Sequence, residues 1–169
     1  MHQLETEAHS PATAEPRNAF LDEKAFKSRT VLVFGEVTDV AASDVARRLI
    51  ALDVDAPTPI TLLVSSPGGH LESGDAIHDI IRFITAPVYI IGTGWVGSAA
   101  VHMYLAVPRE RRYCLPNTRF LIHQPSTGMQ GTASDVAIGA KEILVLRSKV
   151  NALLAAETGQ PVERIADDT

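Results

Sequence analysis

The chain has 169 residues and a mass of 18.2 kDa, enough for one domain that buries a core without disulfide or metal staples. Its formal net charge is -5 with a pI near 5.6, and it has no dense Lys/Arg cluster, which argues against a nucleic-acid groove or an anionic membrane surface as its main partner. Cys114 is its single cysteine, which excludes intramolecular disulfides and Cys-rich zinc sites and suits a reducing, cytoplasmic setting.

Residues 1–24 read as a mobile polar tail. They carry Pro11 and Pro16 and little to bury, with no basic segment followed by an apolar one as an export signal requires. No later segment has the 18 uninterrupted apolar residues of a membrane span. Residues 25–169 read as the folded domain. There the run "TVLVFG" is followed by a helical stretch over Ala41–Leu52, then "ITLLVS", a second helix, "PVYIIG" and a third helix. Short apolar runs alternating with helices predict βαβ units and a largely parallel sheet, an α/β fold. In the second helix Ala76, Ile77, Ile80, Ile81 and Ile84 recur at spacings of three and four, opposite Asp75, Asp79 and Arg82, so one face covers the sheet. A long helix over Ser134–Thr158 is apolar on more than one stripe: Val136, Ile143 and Val150 align with Leu146 and Leu153, while Ile138, Val145 and Leu154 lie beyond them. Deep burial within the subunit and coverage by a second subunit both account for that excess.

Two small-residue turns stand where strands lead into helices. "VSSPGGH", Val64 to His70, falls at the carboxyl edge of the sheet, where open α/β folds place ligands. Its glycines allow the backbone to approach a bound group and aim a peptide N–H at a developing oxyanion, or simply make the turn. "GTGWVGSAAVHMY", Gly92 to Tyr104, sets Ser98 at a helix start, where free N–H groups favour negative charge. Ser98 there is either a nucleophile or a small residue that permits close packing. The stretch is not the G-x-S-x-G elbow of α/β-hydrolases, because Val96 and Ala100 occupy the glycine positions. Two histidines are candidate bases: His102, one helical turn after Ser98, and His123, at the end of the run "RFLIHQP" that Pro125 stops. His70 and His78 read as surface residues. His70 and Glu72 form an H-x-E without the cysteine pair a zinc deaminase needs, and there is no P-loop, so any ATP is hydrolysed by another protein.

Taken together, "SSPGG", Gly94-Trp-Val-Gly-Ser98 and "RYCLPNTRFLIHQPSTGMQGTASD" resemble the proteolytic subunit of the Clp protease (ClpP), a family of ATP-dependent serine peptidases, from about Ala25 to Thr169. The resemblance implies Ser98 as nucleophile, His123, 25 positions later, as general base, and the N–H groups of Gly69 and Ala99 as oxyanion hole, with neither metal nor cofactor. The family's acid aspartate corresponds to a position about three residues after Thr169, and Asp168 to an aspartate outside the triad. The implied fold is crotonase-like, with repeated βα units and a protruding handle, formed here by "STGMQGTA" and the helix Ser134–Thr158. The implied partners are further copies in stacked heptameric rings, an AAA+ Clp ATPase unfoldase and unfolded polypeptides. Departures are His102, where the family is more uniformly small and apolar, and an N-terminal tail unlike the family's pore-lining segment. The expected activity is a serine endopeptidase acting by acyl transfer. A non-catalytic ring subunit beside an active paralogue is the first alternative, and a crotonase-type acyl-CoA enzyme the second.

Overall fold

In the computed structural model the described residues are 19–126 and 128–169. The apolar runs become strands β1 (Thr30–Phe34), β2 (Ile60–Ser66) and β3 (Val88–Gly97), paired in parallel in that order. Alternate residues point inward, as strand geometry requires: Val31 and Val33, then Ile60, Leu62 and Val64, then Val88 and Ile90 are buried in one core. Helices α2 (Asp39–Asp55) and α3 (Leu71–Phe83) add Val45, Leu49, Leu52, Ile77 and Ile81 to it. On the other face of β1, Leu32 and Phe34 are exposed.

The connections explain themselves locally. Thr38 caps α2 by accepting from the Ala41 N–H at 3.2 Å. At its other end the Arg29 guanidinium donates to the carbonyls of Leu52 (2.9 Å), Ala56 (2.7 Å) and Thr58 (3.0 Å), satisfying groups a helix terminus leaves without partners. Helix α1 (Ala19–Lys27) begins inside the segment read as tail, and the first 18 residues of that segment lie outside the described residues.

Strand β3 continues through Gly97, beyond the apolar run "PVYIIG". Its free edge is long enough to pair twice in parallel, with β4 (Arg112–Cys114) along Ile90–Gly92 and with β5 (Arg119–Leu121) along Trp95–Gly97. Between β3 and β4 run the short helix α4 (Ala99–Tyr104) and a 3-10 turn at Arg109–Arg111; Ala99, Ala100, Val101 and Met103 of α4 are buried.

The long helix α5 (Ala133–Thr158) starts at a capping box between Thr132 and Asp135 and ends at Gly159 in the left-handed region (φ 73°). Only Val150, Asn151 and Leu154 along it are buried, whereas Ile138, Leu144 and Val145 are about 60 % exposed. Deep burial within the subunit is therefore not the reason for its apolar excess. Helix α6 (Val162–Asp168) packs back on α5 and buries Ile165. The result is an α/β fold of repeated βα units from which one long helix extends.

Candidate active site

The site lies at the carboxyl edge of the sheet, where β2, β3 and β5 all end. The turn after β2 is seated by the buried Ser66, whose hydroxyl accepts from the Gly68 N–H at 3.0 Å. Gly68 and Gly69 hold φ values of 100° and 149°, which side-chain-bearing residues rarely adopt. The Val37 N–H donates to the Gly68 carbonyl and the His70 N–H to the Val37 carbonyl, both at 2.8 Å. That parallel bridge turns the N–H of Gly69 away from Val37, without a hydrogen-bond partner among the described residues. The turn presses on the serine segment: a Cβ on Gly68 would stand 2.6 Å from Ser98 Cβ and 3.0 Å from the Ala99 nitrogen.

Ser98 follows β3 directly and caps α4 with φ 51° and ψ -124°, a strained conformation for a residue with a side chain. It is a strand-to-helix elbow in geometry, although its sequence lacks the flanking glycines. The Ala99 N–H, first in α4, also has no partner among the described residues. Strand β5 brings in the second residue. Gly97 is in register with Leu121, and the Ser98 N–H donates to the Leu121 carbonyl at 2.9 Å. Two residues on, exposed His123 lies along the same groove as Ser98. That groove, of about 1100 Å³, runs between the turn at Gly69, the start of α4 and the inner side of α5. Ser98, His123, Gly69 and Ala99, the four residues that the resemblance implies, stand at this one edge, and the other candidate base, His102, lines the same groove.

No carboxylate among the described residues bonds to His123. Asp168 pairs with Arg164 instead, at 3.4 Å. The chain nevertheless returns to this point, since the Gln124 N–H donates to the Thr169 carbonyl at 3.2 Å.

The other histidines separate clearly. His70 is exposed and its Nδ1 lies 3.3 Å from Asp39 Oδ1, which also accepts from the Ser73 hydroxyl at 2.5 Å. These two bonds hold the Asp39 carboxyl below its ordinary pKa, Ser73 contributing most. The trio has the composition of a catalytic triad but not its wiring, because the serine donates to the aspartate rather than to the histidine. His78 is largely buried, not a surface residue, and its Nε2 has no partner among the described residues. His102 is 5 % exposed, with Nδ1 3.0 Å from Asp75 Oδ1. Neither His70 with Glu72 nor any other group of three or more His, Cys, Asp or Glu among the described residues is placed to hold a metal ion. No helix among them is long and apolar enough to cross a membrane.

The chain matches the Clp protease family model over residues 14–169. It is 51 % identical to the ATP-dependent Clp protease proteolytic subunit 3 of Rhizobium etli across 85 % of this chain and 74 % of that protein. With proteolytic subunit 2 of Gluconobacter oxydans identity is 48 % across 98 % and 78 %. The chain belongs to the Clp protease family. Among solved structures, ClpP1 of Listeria monocytogenes superimposes with a TM-score of 0.78 at 46 % identity, and a single-residue mutant of that protein with 0.82 at 45 %; each alignment spans 88 % of this chain and 83 % of the other. The crotonase-like α/β arrangement expected from the motifs is thus the ClpP fold, and the handle of that fold is α5. Membership places the chain among the subunits of a serine peptidase system.

Proposed function

We propose that this chain is a catalytic subunit, a serine endopeptidase that cleaves unfolded polypeptides by acyl transfer. The observation that supports this reading best is the parallel pairing of β3 with β5, which delivers Ser98 and His123 to one groove beside two unpaired N–H groups. Ser98 Oγ attacks the peptide carbonyl carbon while His123 takes its proton. The tetrahedral oxyanion accepts from the Gly69 and Ala99 N–H groups. As the C–N bond breaks, His123 returns the proton to the leaving amine. Water then attacks the acyl ester with His123 again as base, and Ser98 is regenerated. The hydrogen bond from the Gln124 N–H to the Thr169 carbonyl holds the backbone at Thr169 against the residue that follows His123.

The exposed apolar residues of α5 support assembly through the handle into stacked heptameric rings, a closed chamber fed by an AAA+ Clp ATPase in the cytoplasm. A non-catalytic ring subunit would share the assembly and lack the chemistry. Fluorophosphonate labelling distinguishes the two: Ser98 Oγ should displace fluoride from phosphorus and become phosphonylated, and Ser98→Ala should abolish labelling and peptide hydrolysis together. His123→Ala should lower hydrolysis by orders of magnitude. Labelling that persists in Ser98→Ala, or its absence from the assembled wild type, overturns the catalytic assignment.

A further inference from the structure

His102 lines the same groove as Ser98 and His123 yet takes no part in the acyl-transfer steps. The groove's lining is mixed: Val101 beside His102 in sequence, Ile122 after β5, and Ile143, Leu146 and Val150 of α5 are apolar, while His70, Glu72 and Glu142 are polar. A buried imidazole is costly unless it is hydrogen-bonded. Asp75 of α3 meets that need, with Oδ1 3.0 Å from Nδ1, while Oδ2 accepts from Lys149 Nζ of α5 at 3.1 Å. A carboxylate has no proton to give, so Nδ1 carries the ring proton and Nε2 keeps its lone pair. Burial pushes the His102 pKa below its ordinary value; the bond to Asp75 opposes that shift without cancelling it, and His78 of α3 and Lys149 add to it. The ring is therefore neutral at pH 7 and above. Nε2, with no hydrogen-bond partner among the described residues, is an acceptor on a residue that lines this groove.

We propose that His102, oriented by Asp75, sets the substrate preference of this site: beside the carbonyl that Ser98 attacks it selects a large side chain, apolar along its length and ending in a hydrogen-bond donor, with tyrosine the best fit. The inference rests on the peptidase reading of Ser98 and His123. An apolar pocket barely separates tyrosine from phenylalanine by shape, but a buried acceptor does, since phenylalanine leaves it unpaired and an acceptor-tipped side chain sets lone pair against lone pair.

Peptides differing only in phenylalanine, tyrosine or 4-pyridylalanine before the cleaved bond test this, with kcat/KM measured on the assembled protein at pH 8. Wild type should prefer tyrosine to phenylalanine by about five- to tenfold, the worth of one neutral hydrogen bond, and should disfavour 4-pyridylalanine. His102→Leu should bring tyrosine and phenylalanine within about twofold. Asp75→Asn is nearly isosteric. With Lys149 holding its carbonyl, its amide faces His102 and donates to Nδ1, so the ring proton moves to Nε2. That variant should raise 4-pyridylalanine above phenylalanine, an inversion that a merely structural role for the pair would not produce. Equal cleavage of tyrosine and phenylalanine by wild type, or an Asp75→Asn protein that keeps the wild-type order, overturns the proposal and leaves the peptidase reading standing. Failure to cleave any of the peptides, with Ser98 also inert to fluorophosphonate, overturns both.

Discussion

Replacing Gly68 with alanine measures how closely the turn after β2 is fitted to the nucleophile. The new Cβ would stand 2.6 Å from Ser98 Cβ and 2.7 Å from the Gly97 carbonyl oxygen, whereas carbon atoms pack at about 3.5–4.0 Å. The turn and the elbow must therefore part by about 1 Å. A shift of that size at a reacting centre costs on the order of 100-fold in rate. Part of the stability loss comes from the backbone alone, because φ at Gly68 is 100°, and a side-chain-bearing residue held in such a region costs about 1–3 kcal/mol. Gly35→Ala separates the two effects. Its φ is 87° and a Cβ there meets nothing within 4 Å, so it carries backbone strain without collision. Both variants should lose stability in urea denaturation, Gly68→Ala by about 1–3 kcal/mol more because it also overpacks. The rate of phosphonylation of Ser98 by a fluorophosphonate should fall about 100-fold in Gly68→Ala and stay within about a few-fold of wild type in Gly35→Ala. A folded Gly68→Ala protein that reacts at the wild-type rate would refute the claim that this turn seats Ser98.

Because burial holds His102 below its ordinary pKa of 6.5, the unfolded chain takes up that proton first, so the His102 contribution to stability is complete above about pH 6.5 and declines as pH falls below it. Urea midpoints measured across pH 5–8 should therefore fall more steeply on the acid side for wild type than for His102→Leu, with Asp75, His78 and Lys149 left in place in both; equal slopes would contradict the linkage. On the handle, Ile138→Glu with Val145→Glu puts two charges on exposed apolar positions of α5 and should convert stacked rings into smaller species in sedimentation velocity, with an unchanged circular dichroism spectrum. A particle of unchanged size would remove these residues from the contact between rings.

How much of this was legible in the sequence depends on how far apart the cooperating residues lie. Strands β1 and β2 announce themselves as apolar runs, and α3 as a one-sided helix, because each pattern is complete within a few turns of chain. The second half of β3 does not. Gly92 to Gly97 has the composition of a turn, yet Trp95, Val96 and Gly97 are held extended by their register with Arg119, Phe120 and Leu121, a case of pairing overriding local preference. The same register carries Ser98 to His123, so it was the resemblance of motifs, not any local pattern, that brought them together before the fold was known. The strain at Ser98 was hidden for a related reason: the turn at Gly68, thirty residues earlier, packs against the serine, and no property of the serine's own neighbours reports that contact. His102 shows the limit most plainly. One turn after Ser98 it reads as a candidate base, though a histidine so placed is more often a core or interface residue, and only its partner decides among these. That partner, Asp75, lies on the polar side of α3, where the periodicity assigns it to solvent; Lys149, 74 residues further on, holds its other oxygen. A side chain's role in this site is set by what the sheet and the handle bring against it, so the chemistry becomes readable only once β3, β5 and α5 have taken their places.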